Sequence, residues 1–247
     1  MIIIEDLVRR FGTFTAVGGI SLRVNKGEVL GFLGPNGAGK STTMKMITGF
    51  LAPSEGRISV CGHDVVEQQL EAQSSIGYLP EGAPAYPDMT PNQFLHFIAT
   101  IRGLKDQAAT KAIETAIART GLQSVLDQRI DTLSKGFKRR VGLAQSILHD
   151  PPVLIMDEPT DGLDPNQKLA VRSLIKSMSA NKAIIISTHI LEEVDAVCTR
   201  AVIIDKGRIV ADGTPSELLA KSPTRRLEDV FRALTTPDTE IKAEAVP

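Results

Sequence analysis

The stretch that most limits what this chain can fold into is GPNGAGKST, Gly34 to Thr42, set between the apolar run EVLGFLG and the helically spaced run TTMKMITGF. Strand, glycine loop, helix is the order in which a backbone can cradle a phosphate chain. Gly34, Gly37 and Gly39 allow the loop to curl until its N–H groups face one point, and the helix N-terminus behind them adds partial positive charge. Pro35, Asn36, Ala38 and Thr42 complete the loop, Lys40 brings a full charge to the β and γ phosphates, and Ser41 offers an oxygen to Mg²⁺. A glycine-rich turn without a ligand would not need the flanking strand and helix.

Two more apolar runs, VLIMDE (Val153–Glu158) and AIIIST (Ala183–Thr188), suit buried strands. With helical patterns between them they predict an α/β core of mostly parallel strands. At 247 residues and 42% hydrophobic, the chain can fill one large core. From about 88 to 150 the pattern changes, because three helical stretches between Thr90 and Leu148 follow one another without a strand. This reads as an all-helical lobe inserted into the core. Its first helix has Thr90 as cap and Pro91 behind it; its second has Asp106 as cap and ends before Gly121. Further on, AVIIDKGRIVADG reads as two short strands about Lys206 and Gly207, then a helix capped by Thr214. Leu227, Val230, Phe231 and Leu234 give the last helix one apolar face. Residues 1–235 thus form one domain, and 236–247 are expected to be a disordered tail.

Charge adds little: 28 Lys and Arg against 29 Asp and Glu leave no general attraction for nucleic acid or anionic lipid. Cys61 and Cys198 lack zinc-site spacing and read as buried thiols in a reducing compartment. No run reaches the length of a membrane span.

In VLIMDEPTDGLDP a buried strand ends in two carboxylates. Asp157 is placed to hold the metal and Glu158 to polarise a water in line with the γ phosphate. The alternative is a pair of helix N-terminal charges, which the helix dipole would favour. AIIIST runs into His189, which can reach the same site from its strand end. A further run, LSKGFKRRVGLAQ, has four basic residues in the six from Lys135 to Arg140. Phe137, Val141, Ala144 and Leu148 make an apolar stripe that leaves Lys138 and Arg139 off it, as surface charges. A Ser, a Gly and the start of an amphipathic helix among these charges suggest a phosphate contact in this stretch. A GTPase would need Asn-Lys-x-Asp; the one candidate, NKAI, carries Ile184 at the last position. A small-molecule kinase with an arginine lid stays open on periodicity alone.

Taken in order, these motifs resemble the ATP-binding-cassette (ABC) ATPases over essentially the whole chain to Leu234. GPNGAGKST is similar to their Walker A, VLIMDE to Walker B, DGLD, ending in Asp164, to the D-loop, and STH to the H-loop. LSKGF stands where they have Leu-Ser-Gly-Gly-Gln, with Lys135 and Phe137 departing. The resemblance implies a P-loop NTPase (RecA-like) core, an N-terminal antiparallel β subdomain and an inserted helical subdomain. It implies ATP and Mg²⁺ as ligands, with Phe11 stacked on adenine and Glu81 at the Q-loop position, where the family has glutamine. Glu81 could ligate the metal yet adds a negative charge beside the triphosphate. Ser134, Gly136 and Asp164 would complete the nucleotide site of a facing subunit, a homodimer being the simplest arrangement. Asp161 replaces a usual serine, with no reading from sequence.

YLPE, YPDMTPNQFL, LSKG and LEDVFRAL look most like the ATPase subunits of ABC-2 type exporters. A separate permease would dock near Glu81 to Met89 and the first inserted helix, holding the chain peripherally at the cytoplasmic face of the membrane. Two competitors are a soluble cassette ATPase acting on DNA or ribosomes and a nucleotide-binding regulator without turnover. The first usually carries coiled-coil insertions or two cassettes; Lys40 and Glu158 together argue against the second. No nucleic-acid partner is expected.

Overall fold

Burial along the strands separates a half-wet sheet from one whose central strands are wholly buried. A computed structural model describes residues 1–235; the expected tail, 236–247, lies outside the described residues. β1 (Ile2–Phe11) and β2 (Phe14–Val24) form an antiparallel hairpin across Gly12 and Thr13. β3 (Val29–Leu33) then enters the interior and runs through the glycine loop into α1 (Lys40–Ile47). β4 (Glu55–Val60) and β5 (His63–Asp64) rejoin the first sheet, and α2 (Gln69–Ser74) leads to β6 (Ile76–Leu79). Next come α3 (Pro91–Ile101), α4 (Asp106–Thr120) and α5 (Lys135–Ile147), with two 3₁₀ turns but no strand among them. β7 (Val153–Asp157), α6 (Pro165–Ser179), β8 (Ala183–Thr188), α7 (Leu191–Val197) and β9 (Arg200–Asp205) continue the core. β10 (Arg208–Gly213), α8 (Pro215–Leu219) and α9 (Leu227–Thr235) finish it.

The first sheet is antiparallel in the order β2-β1-β4-β5; the second runs β10-β9-β3-β8-β7-β6. In the second only β10 is antiparallel to its neighbour. β3, β7 and β8 are buried at every position, which is why they read as unbroken apolar runs. One core joins the first sheet and α1 to the large sheet, a second joins α3 to α6 to its other face, and a third lies under α7 to α9. The carboxyl ends of β3, β7 and β8 carry the glycine loop, Glu158 and His189. That is where an open parallel sheet holds its ligand.

Local signals account for most boundaries. Thr90 and Gln93 make a reciprocal capping box ahead of α3, as Thr214 and Glu217 do for α8. Lys206 and Gly207 both take positive φ between β9 and β10, the turn that suits a twisted hairpin. Leu227 and Val230 of α9 are buried, with Phe231 and Leu234 packed beside them. Two expectations are corrected. Asp106 is not the cap of α4 but its first residue, at φ 48°, with Lys105 before it. A carboxylate in the first turn is favoured by the helix dipole without capping a backbone N–H. Cys61 sits half-buried in the turn after β4, while burial pushes the half-buried Cys198 thiol up to about 12. Among the described residues no helix is long and apolar enough to cross a membrane.

Candidate functional site

The glycine loop is shaped by its contacts. Gly39 is at φ 103°, and a Cβ there would lie 2.6 Å from the Ala16 carbonyl oxygen, so only glycine lets the loop pass under β2. Thr43 donates from both N and Oγ1 to the Gly39 carbonyl, at 2.9 Å each, and Gly207 N donates to Ala38 O at 3.0 Å. Lys40 is 7% exposed, and its Nζ donates to the carbonyls of Gly34 (2.6 Å) and Pro35 (3.1 Å). Burial lowers the Lys40 ammonium pKa, against the opposing charges of Glu158, Asp157 and Glu81. A cleft of about 460 Å³ opens here. Asn36, Gly37, Gly39, Lys40, Ser41 and Thr42 line it, together with Phe11, Phe14, Ala16, Glu81 and Glu158.

The two carboxylates at the end of β7 are held differently. Asp157 is 2% exposed and accepts from Ser187 Oγ on β8. Glu158 turns out of the strand at φ 53°, a left-handed conformation that costs a side-chain-bearing residue roughly 1–2 kcal/mol. Its N–H donates to Ser187 O at 3.1 Å, and its carboxylate pairs with His189 Nδ1 at 2.7 Å. The end of β8 is fixed in turn, since Thr188 Oγ1 donates to the buried Glu193 (2.7 Å) and accepts from Ile190 N (3.0 Å). The hydroxyl of Ser41 and the carboxylates of Asp157 and Glu81 are hard oxygen donors, the class that Mg²⁺ takes.

Of the residues singled out from sequence, Phe11, Asn36, Gly37, Gly39, Lys40, Ser41, Thr42, Glu81 and Glu158 line one cleft; Gly34, Pro35 and Ala38 do not, Asp157 is buried, and His189 pairs with Glu158. Ser134, Gly136 and Asp164 do not line it. Ser134 caps α5, its Oγ accepting from Phe137 N at 3.3 Å, and Asp164 caps α6, accepting from Gln167 N at 2.9 Å. A Cβ on Gly136 would meet Gln167 Oε1 at 2.5 Å, so α6 covers the start of α5. Lys135 and Asp161, the two departures without a reading, pair with each other at 2.9 Å. That bond holds the Asp161 carboxyl below its ordinary range.

The basic run needs one correction. Lys138 is partly exposed and donates to Asp131 O at 2.8 Å, but Arg139 is only 5% exposed. Its guanidinium donates to the carbonyls of Pro80 (3.0 Å), Pro159 (3.4 Å), Asp157 and Glu158. Burial lowers its pKa. The reason is that α5 is covered on two sides. Gly136, Arg139, Leu143 and Ser146 form a second buried row beside the apolar stripe, spaced i, i+3, i+7 and i+10, and its small residues were the available signal. Phe14 was also missed; it faces Phe11 across the hairpin and is exposed beside the loop. Arg9 stacks on Phe11, its Cζ 4.6 Å from the ring centroid.

The family described as ABC transporter matches residues 17–161. The probable multidrug ABC transporter ATP-binding protein YbhF of Escherichia coli (strain K12) is 36% identical over 233 residues, which is 92% of this chain and 40% of that protein. The chain therefore spans about two-fifths of that relative's length. The Nod factor export ATP-binding protein I of Burkholderia lata is 38% identical over 216 residues, 87% of this chain and 71% of that protein. A solved ATP-binding subunit of an ABC transporter superposes with a TM-score of 0.88 at 29% identity, covering 95% of this chain and 99% of that one.

Proposed function

This chain belongs to the ABC transporter family, and from that membership we propose that it binds and hydrolyses ATP to drive export through a separate ABC-2 type permease. The observation that carries the reading is that Lys40 and Glu158 line one cleft, with His189 on the Glu158 carboxylate. Phosphoryl transfer to water needs positioned phosphates, a cation at the transferred group and an oriented water. The loop N–H groups and Lys40 supply the first two. Glu158 accepts the water's proton, and His189, bonded through Nδ1, holds that carboxylate in place. Mg²⁺ bound by Ser41, Asp157 and Glu81 would neutralise charge on the β and γ oxygens. Phe11, with Phe14 beside it, provides the aromatic surface for adenine.

Residues 1–235 hold one glycine loop and one LSKGF segment, and two such cassettes face each other, each giving Ser134, Gly136 and Asp164 to its partner's ATP. Residues 1–235 act as the ATP-binding domain, with about 88–150 as its helical lobe. The permease meets an apolar groove of about 430 Å³ between β6 and α3, where Phe50, Tyr86 and Ile101 are exposed. Such a patch suits an amphipathic helix. The chain is then peripheral, at the cytoplasmic face of the membrane.

The test is Glu158→Gln. The variant is expected to keep ATP affinity, lose hydrolysis and accumulate an ATP-bound dimer by size exclusion; unimpaired turnover would remove Glu158 from the role of base. Purification from membranes should bring down an integral-membrane partner, and recovery with ribosomes or DNA instead would overturn the transport reading.

A further inference from the structure

Arg139 differs from every other basic residue near it. The exposed Lys135 finds a carboxylate, and Arg140 lies over the Phe137 ring at 4.0 Å and donates to Gly121 O. Arg139 goes inward, and among the described residues no carboxylate forms an ion pair with it. All its bonds end on main-chain carbonyls, with Nε on Pro159, Nη1 on Pro80, and Nη2 on both Asp157 and Glu158. Nearby negative charge from Asp161, Asp157, Glu158 and Glu81 balances the guanidinium without touching it.

Those four carbonyls belong to two segments. Pro80 precedes Glu81 at the end of β6; Asp157, Glu158 and Pro159 are the turn that carries the carboxylate facing the cleft. Glu158 is left-handed, a conformation its own side chain disfavours. Drawing the carbonyls on both sides of its Cα to one nitrogen is a geometric reason for the turn to stay there. A planar guanidinium has donors in a rigid fork that an ammonium lacks.

We infer that Arg139 is a positioning residue: it fixes the direction of the Glu158 carboxylate and ties that direction to the seating of the Pro80–Glu81 segment. The inference rests on the reading of Glu158 as base. A shift at Pro80, beside the groove assigned to the permease, pulls on the same guanidinium that holds the Glu158 turn. Whatever moves that segment changes how well Glu158 faces the γ phosphate.

Arg139→Gln and Arg139→Lys in the full chain test this, beside Glu158→Gln. Turnover, KM for ATP, affinity for a fluorescent ATP analogue, melting temperature and amide exchange over 157–162 are measured. Both variants are expected to lower kcat roughly 10- to 100-fold, the range for residues that orient the ligands of a metal site. KM and analogue affinity should change less than about threefold, and exchange over 157–162 should rise. Wild-type turnover in Arg139→Lys would show that charge and not the fork matters, and would overturn the inference. Failure of both variants to fold, or kcat and affinity falling together with the melting temperature, would assign Arg139 to the fold instead. Normal turnover in Glu158→Gln would remove the reading beneath it, whereas an inactive Glu158→Gln with normal Arg139 variants would remove this inference alone.

Discussion

Residues 34–42 and 134–140 are both short segments entering a helix, and both read from sequence as phosphate sites, yet their side chains are placed by different forces. In the first, the side-chain hydrogen bonds go to neighbours a few positions away, while Ala16 and Gly207 close on the loop from outside. Lys40 bonds Gly34 and Pro35, and Thr43 bonds Gly39. In the second, four basic residues of similar appearance meet four unrelated partners, 7 to 59 positions away: Asp161, the Asp131 carbonyl, the Pro80 carbonyl and the Gly121 carbonyl. A motif whose geometry is local states its chemistry in its letters. A motif finished by tertiary contacts states only where the chemistry is.

Lys40→Ala should give the largest effect, because the local loop has no second cation to replace it. Turnover should fall on the order of 10²- to 10³-fold, as for a lost donor at a developing charge. ATP retention should fall with it, and Lys40→Arg should not restore either, since the fork does not fit a site shaped for a point charge. Measured turnover and analogue binding near wild type in Lys40→Ala would break the contrast at its stronger end.

Gly136→Asp comes next. The new Cβ meets only the far end of Gln167, and a carboxylate in the first turn of α5 is favoured by the helix dipole. Melting temperature should therefore hold within a few degrees, while hydrolysis falls by repulsion at the facing γ phosphate. ATP binding to the variant's own glycine loop should persist. Mixed dimers with one variant chain should lose the opposite site; loss of the variant's own site would make the assignment across the interface wrong.

The same contrast explains what could be read from the chain. β3, β7 and β8 were legible because they are buried on both faces and show unbroken apolar runs, and the caps at Thr90 and Thr214 because capping is a three-residue event. The glycine loop and the carboxylates at the end of β7 were legible from their residue types and their place after unbroken apolar strands, although Ser187 and His189 of a later segment hold those carboxylates. Arg139 was not, because one apolar stripe marks one covered face, and the second face of α5 is covered by segments as distant as Pro80 and Pro159. Nor was the Lys135–Asp161 pair, since its members lie 26 positions apart with a whole strand between them.

At the far end of the same region, His149 supplies a prediction in pH. Its ring is half-buried against β6, with Nε2 3.2 Å from Ile76 O, and burial together with Arg102 pushes its pKa down to about 4. The fold therefore favours the neutral ring while the unfolded chain takes a proton near 6.5. Stability is complete above about pH 6.5 and is lost as pH falls toward 4, by at most on the order of 2 kcal/mol after allowing for solvent screening. Urea denaturation from pH 7 to 4.5 should show the decline, and His149→Gln should flatten it. An unchanged slope in the variant would place the titration elsewhere.

The smallest effect is expected at the exposed pair of Lys135 and Asp161. Both side chains are well exposed, 70% and 52%, so the pair is worth about 0.2–1 kcal/mol in a double-mutant cycle on stability. Its depressed carboxyl gives the direction with pH: the contribution is present above the ordinary carboxylate pKa and disappears as pH falls through the lowered one. The informative measurement is turnover. If the pair only joins the start of α5 to the segment before α6, Lys135→Gly and Asp161→Ser should each disturb turnover slightly, and the double variant no more than either alone. If instead the ammonium serves the facing γ phosphate, Lys135→Gly should raise KM for ATP whatever stands at 161, and the two changes should add. Non-additivity thus assigns Lys135 to its own chain, and additivity assigns it to the partner's nucleotide.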